Sequence, residues 1–277
     1  MYASRLIRAP ENAAYRSFVI GTLSNMRFDA TEAAITMAAM PDGSPEIFTS
    51  IQGEGPRSGH LTVFARLSAC NLYCRWCDTA YTWRWTATRA HDDDTIYDRT
   101  RWQIRMTPAD LLSAIKAHDP RRVVFTGGEP FLQHKALTPV LTHLRSAGFE
   151  IEFETNGTVL PPPEFCALCS LIVVSPKLAN SGIEESVRIS ETSLRGLLEL
   201  PETVLKFVVN SRADFDEIAK LQRRFEVDRH RIWIMPCGRS PEATAQVGRG
   251  IIDQVIERGY NYSARLHLAL FGDTQGT

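Results

Sequence analysis

Short apolar runs recur along the chain from residue 45 onward, and stretches with helical spacing separate them. Val63-Phe64-Ala65-Arg66-Leu67 predicts a strand, as do Arg122–Phe125, Phe149–Phe153, Leu171–Val174, Val204–Val209 and Ile232–Met235. These runs are short, bounded by turn residues and rich in β-branched and aromatic side chains. Thr107-Pro108-Ala109-Asp110 opens a helix, with threonine as N-cap, proline at the first position and an acid in the first turn. A helix over about Leu137–Ala147 stops at Gly148, Asp214–Phe225 reads as helical, and Ala243–Arg258 is a helix stopped by Gly259. Leu266–Leu270 reads as a last strand, and Met26–Met40 as a short alanine-rich helix.

Strands alternating with helices imply parallel pairing through right-handed crossovers, in an open doubly wound sheet or a (β/α) barrel. Both arrangements place a site at the carboxyl ends of the strands. Polar motifs stand there after four successive strands: the cysteine loop, Thr126-Gly127-Gly128-Glu129-Pro130, Glu154-Thr155-Asn156-Gly157 and Ser175-Pro176-Lys177. Their shared position predicts one shared site. The stretch from Trp83 to Trp102 breaks the rhythm and reads as a solvated excursion anchored by a few aromatics.

Composition narrows the function. The chain has 277 residues, 44% of them hydrophobic and 23% charged, with a net charge of −1. That is ordinary globular composition, and it offers no electrostatic case for binding nucleic acid or a membrane surface. No apolar run approaches the ~20 residues that span a bilayer. Residues 1–43 read as an extension joined through Pro41-Asp42-Gly43-Ser44-Pro45, with Met40 a candidate start, and residues 44–277 as a single catalytic domain. Acidic Glu11, Asp29 and Glu32 argue against an organellar presequence, so a cytoplasmic location is expected.

Cys70-Asn71-Leu72-Tyr73-Cys74-Arg75-Trp76-Cys77 is the most informative stretch, with the spacing C-x3-C-x2-C. Three thiolates can hold three irons of a 4Fe–4S cube and leave the fourth iron open to a small molecule. Structural zinc sites and electron-transfer clusters usually take four protein ligands, so the missing fourth cysteine points to chemistry at an open iron. Ordinary buried thiols, or a zinc site completed by His60 or His91, remain alternatives at this point. Cys166 and Cys169 form a second C-x2-C, which with Cys237 could carry an auxiliary cluster, but their apolar surroundings favour plain buried thiols.

The triplet resembles the cluster motif of the radical S-adenosylmethionine superfamily, which implies a partial parallel (β/α) barrel, a 4Fe–4S cluster and S-adenosylmethionine. In that superfamily an electron from the cluster cleaves the cofactor to a 5′-deoxyadenosyl radical. The further set Glu46-Ile47-Phe48-Thr49-Ser50-Ile51-Gln52-Gly53-Glu54-Gly55-Pro56, Phe64-Ala65-Arg66, Cys77-Asp78-Thr79 and Arg265-Leu266-His267 is similar to the 7-carboxy-7-deazaguanine synthases, from about residue 45 to the C-terminus. The resemblance implies a carbon–nitrogen lyase that contracts 6-carboxy-5,6,7,8-tetrahydropterin to 7-carboxy-7-deazaguanine with loss of ammonia, on the route to queuosine. By the same resemblance Cys70, Cys74 and Cys77 hold the cluster, and Thr79 serves Mg2+. Trp76, Cys77, Asp78, Gly128, Glu154, Ser175, Pro176 and Lys177 border S-adenosylmethionine. Ile51, Gln52, Gly53, Glu54, Arg66, Thr126 and His267 face the pterin. A reductant such as a flavodoxin and a homodimer are also implied.

Each assignment has a plainer structural reading: Arg66 as a salt-bridge partner, Thr79 as a cap, Gln52 and Glu54 as turn residues, His267 as a core histidine. The rival functions are another radical S-adenosylmethionine enzyme, such as a glycyl-radical activase, and a non-catalytic metal-binding protein. The chain departs from the family in its N-terminal extension, in the insertion after Trp83, in its tail from Phe271 to Thr277, and in having no glutamine in Ile234-Met235-Pro236-Cys237-Gly238.

Overall fold

The computed structural model describes residues 33–87 and 91–277. Among these, ten strands form one sheet. They are β1 (Ile35–Ala38), β2 (Ile47–Ile51), β3 (Leu61–Leu67), β4 (Gln103–Met106), β5 (Arg122–Gly127), β6 (Glu150–Thr155), β7 (Leu171–Val174), β8 (Thr203–Val209), β9 (Ile232–Pro236) and β10 (Asn261–Tyr262). The order is β10-β9-β8-β7-β6-β5-β3-β1-β4, with β2 beside β3. From β3 through β10 every neighbouring pair on that path is parallel, while β1 and β2 pair antiparallel with β3, and β4 antiparallel with β1. The path has two ends and does not close, which is the partial barrel.

The pleat sorts the side chains. On one face Val63, Ala65, Leu67, Val123, Phe125, Ile151, Phe153, Leu205 and Phe207 join the main hydrophobic core. Crossover helices cover that face through apolar residues three or four positions apart. Examples are Leu111 and Ile115 on the helix Pro108–Lys116, and Phe215, Ile218, Leu221 and Phe225 on Asp214–Phe225. Thr107 caps the first of these by accepting from the Asp110 N–H at 3.1 Å. Phe153 is central to an aromatic group, 5.1 Å from Phe125, 5.3 Å from Phe131 and 5.3 Å from Phe165 between ring centres. The alternate positions turn inward: Phe64, Arg66, Thr126, Glu154, Lys206 and Val208 line a cavity.

Several expectations are corrected. Ile35–Ala38 lies in a strand, with Ile35, Met37 and Ala38 fully buried between β3 and β4, so the helix over Met26–Met40 does not hold there; residues 26–32 lie outside the described residues. The sheet therefore begins before residue 44, and the boundary at residue 43 does not separate extension from domain. Ile47–Ile51, for which no element is predicted from the sequence, is β2. Leu266–Phe271 is a helix rather than a strand. The alternation of Leu266, Leu268 and Leu270 suggested a strand, but only Leu268 is buried, and the Leu266 N–H is taken by the Gly53 carbonyl at 2.9 Å. The excursion after Trp83 is largely exposed, as expected, and Tyr97 and Trp102 dock it against Tyr81 at 6.1 and 5.3 Å before it returns as β4.

Truncating Phe153 to alanine is expected to cost about 3–5 kcal/mol, because a fully enclosed ring leaves a cavity. Urea unfolding of the two proteins would measure it, and a loss well under 1 kcal/mol would show that this aromatic group is not central to the core.

Candidate active site

The cavity lies at the carboxyl ends of the parallel strands and has a volume of about 330 Å³. Its lining includes Ile51, Gln52, Gly53, Glu54, Arg66, Cys70, Cys74, Trp76, Cys77, Asp78, Thr79, Thr126, Gly128, Glu154, Ser175, Lys177 and His267. Of the residues that the resemblance assigns to cluster, Mg2+, cofactor or pterin, Pro176 alone does not line it. The motifs after four strands thus meet at one site.

The cysteine loop leaves β3 and is fastened to the turn after β5. Gly128 N–H donates to the Leu67 carbonyl at 2.9 Å, and Glu129 N–H to the Ala69 carbonyl at 2.8 Å. A Cβ on Gly128 would overlap the Ala69 carbonyl, so glycine is required by this backbone approach as well as by any ligand. The buried Glu129 carboxylate accepts from Phe131 N (3.0 Å), Thr155 Oγ1 (2.7 Å) and Asn156 N (2.7 Å), tying the ends of β5 and β6 together. Burial raises its pKa against these hydrogen bonds.

Another part of the wall alternates in charge. Lys206 Nζ pairs with Glu54 at 2.5 Å and with Glu154 at 3.3 Å. Arg265 pairs with Glu54 at 3.1 Å through Nε and with Asp78 through Nη2. Burial works against the Glu54 carboxylate, but Lys206 and then Arg265 outweigh it and hold its pKa far below the ordinary range. Thr126 donates to Glu154 at 2.8 Å. Gln52 is gripped from both ends: its Oε1 accepts from Glu54 N at 3.2 Å, and its Nε2 donates to Glu152 at 3.4 Å. A Cβ on Gly53 would strike the His267 ring, so that glycine lets His267 pack on the loop. Burial lowers the His267 pKa, although Glu54 stands 4.0 Å away.

Arg66 is held by Glu46 through Nε at 2.6 Å, and Glu46 also accepts from Tyr81 (3.0 Å) and Gln275 (2.7 Å). Trp76 is fixed by donation to the Asn180 carbonyl at 3.0 Å, and Lys177 sits 5.6 Å over its ring. Thr79 Oγ1 lies 3.7 Å from Cys77 Sγ. Lys206, Glu46, Tyr81 and Asn156 also line the cavity, and the sequence reading assigned none of them. A signal for Lys206 was available: it is a lone lysine within the apolar strand Thr203–Val209.

Residues 66–176 match the Radical SAM superfamily. The 7-carboxy-7-deazaguanine synthase of Rhodopirellula baltica is 34% identical over 245 residues, covering 84% of this chain and 87% of that protein. The synthase of Pyrobaculum aerophilum is 32% identical over 232 residues, covering 83% of this chain and 95% of that protein. The chain belongs to the 7-carboxy-7-deazaguanine synthase family. QueE from Escherichia coli shares the fold of this family member, with a TM-score of 0.60 at 23% identity over 92% of this chain and all of the other. No helix among the described residues is long and apolar enough to cross a membrane.

The cofactors of a radical S-adenosylmethionine domain are a 4Fe–4S cluster and S-adenosylmethionine, and the residues here fit the cluster. All three thiols face one cavity. Both nitrogens of His91 face carbonyls, Asp93 O at 2.8 Å and Cys77 O at 3.1 Å, and His60 Nδ1 faces Arg57 O at 2.9 Å. Neither histidine completes the triplet. N–H donors instead point at sulfur, from Leu72 to Cys70 at 3.4 Å and from Trp83 to Cys77 at 3.3 Å, which suits thiolate ligands. Burial pushes the free Cys74 thiol up to about 12, so loading must displace its proton. Cys166 and Cys169 are buried in the main core before β7 begins, whereas Cys237 follows the end of β9, so those three sit at opposite ends of the sheet.

Gly128→Ala is expected to force the turn off Ala69, cost roughly 1–3 kcal/mol and lower the iron bound per chain after anaerobic reconstitution. Unchanged iron content and melting temperature would refute the close-approach argument. Glu152 gives a pH signature. Burial, and then Glu154, push its carboxyl up to about 8. The folded state thus binds a proton that the unfolded chain releases, so this contribution is complete at acid pH and is lost as pH rises through about 8. Glu152→Gln is expected to flatten the fall in stability between roughly pH 5 and 8. Equal slopes in urea unfolding of both proteins would contradict the assignment.

Proposed function

We propose that this protein converts 6-carboxy-5,6,7,8-tetrahydropterin to 7-carboxy-7-deazaguanine with release of ammonia, as a carbon–nitrogen lyase in queuosine or related 7-deazapurine synthesis. The observation that carries the reading is the composition of one cavity, whose lining joins three cluster-ready thiols with the Gln52–Glu54–Lys206–Glu154 array. When bound, the cluster and S-adenosylmethionine supply the radical that removes hydrogen from the substrate. Cys70, Cys74 and Cys77 hold the cluster, while Trp76, Asp78, Gly128, Ser175 and Lys177, all on the cavity wall, border S-adenosylmethionine.

The remaining residues bind and orient. Gln52 and Glu54 offer amide and carboxylate partners to the nitrogen-rich ring, between Ile51, Gly53 and His267. Because Gln52 is fixed from both ends, its amide cannot flip to suit a different heterocycle. Arg66 gives only Nε to Glu46, which leaves its outer nitrogens for the substrate carboxylate. Glu154, placed with the cofactor by family resemblance, is engaged by Thr126 and Lys206, which supports a place at the border between cofactor and substrate. The Thr79 hydroxyl suits Mg2+, a hard ion that accepts one protein oxygen and takes water and substrate oxygens besides. The enzyme works in the cytoplasm as a homodimer and draws electrons from a reductant such as a flavodoxin.

The test is anaerobic incubation of the reconstituted protein with the pterin, dithionite, S-adenosylmethionine and Mg2+. Formation of 7-carboxy-7-deazaguanine is expected, and a protein-bound radical without pterin turnover would favour an activase instead. In Thr79→Ala the Mg2+ concentration needed for half-maximal rate should rise at least several-fold. A rate indifferent to Mg2+ in both forms would remove that role.

A further inference from the structure

Trp83, where the excursion begins, reaches the cluster ligands. Trp83 Nε1 lies 3.3 Å from Cys77 Sγ, within hydrogen-bond reach of sulfur. The indole is held for this contact. Trp83 N–H donates to the Ala80 carbonyl at 3.1 Å, which roots the residue in the turn after Thr79. The His91 ring packs edge-on against the indole, with centres 6.1 Å apart, while His91 Nε2 faces the Cys77 carbonyl at 3.1 Å. Trp83 and His91 thus approach the same ligand residue, one at its sulfur and the other at its backbone. The side-chain donor toward Cys70, Asn156 Nδ2, is more distant at 3.9 Å.

We infer that Trp83 is a positioning residue that makes the cluster easier to reduce by donating its indole N–H to the Cys77 sulfur. The inference rests on the cluster reading of the site. Reduction is a one-electron step: a low-potential one-electron donor loses an electron, the oxidised cluster gains it, and no bond of the protein is broken. The added negative charge spreads over iron and sulfur. A fixed N–H dipole aimed at a ligand sulfur stabilises that charge more than it stabilises the oxidised state, so it raises the reduction potential. The indole is a neutral donor with no acceptor nitrogen, so the bond is present at any working pH.

The experiment compares parent and Trp83→Phe proteins after anaerobic reconstitution, by iron analysis and by redox titration followed through the electron paramagnetic resonance of the reduced cluster. The phenyl ring keeps most of the packing and removes the donor. At equal iron content the midpoint potential of W83F is expected to move to a more negative value, by the same amount across the stable pH range. An unchanged midpoint at equal iron would overturn the inference. Should W83F fail to hold iron, His91→Leu decides the matter by freeing the indole while leaving its N–H: a more negative midpoint supports the inference, and an unchanged one overturns it. If the parent itself takes up no cluster, the reading of the site fails, which is a different result from a parent cluster whose potential ignores Trp83.

Discussion

The site depends on a chain of alternating charges, Lys206 to Glu54 to Arg265 to Asp78, that is buried except at Asp78, whose side chain is 37% exposed. Each residue comes from a different part of the sequence: the inner face of β8, the loop after β2, the segment before the last helix, and the end of the cysteine loop. Taking these groups out of water carries a cost of several kcal/mol per ion, which only close mutual pairing offsets. The pairing therefore fixes where four distant segments meet. Its ordering also explains the ionisation states. Burial alone would neutralise Glu54, but its cations keep it charged; Glu152, deeper and without a close cation, goes the other way.

The thiol side is organised by backbone more than by charge. Gly128 and Glu129 bond to the carbonyls of Leu67 and Ala69, and the Glu129 carboxylate gathers three donors. The loop that carries the cysteines is thus pinned to the neighbouring parallel strands by the protein's own hydrogen bonds. Main-chain hydrogen bonds thus organise the thiol loop, whereas ion pairs organise the Glu54, Lys206 and Arg265 wall.

Much of this was legible in the sequence because the pleat separates duties within each strand. Val63-Phe64-Ala65-Arg66 and Leu205-Lys206-Phe207-Val208 each place apolar residues toward the helices and a single charge toward the cavity. The motif loops were readable because they end those strands. Lys206 was passed over since one lysine does not disturb the apolar look of its run. Strand β1 was missed because Ile35-Thr36-Met37-Ala38 sits among alanines that suggest a helix, and only its place between β3 and β4 decides otherwise. The last helix was mistaken for a strand because a six-residue segment offers too few turns to show its period. Trp83 was assigned to an insertion, and nothing local in the sequence indicates that its ring turns back to Cys77.

The edges of the sheet differ in how much main chain they leave unpaired. Among the described residues β2, five residues long, pairs only with β3, while the two end strands β10 and β4 have two and four residues. Strands this brief expose few unsatisfied amides and carbonyls, so they are poor templates for edge-to-edge continuation by a neighbouring molecule. The two ends of the path are thereby blunted, and among the described residues the outer side of β2 is the longest strand edge without a ladder partner.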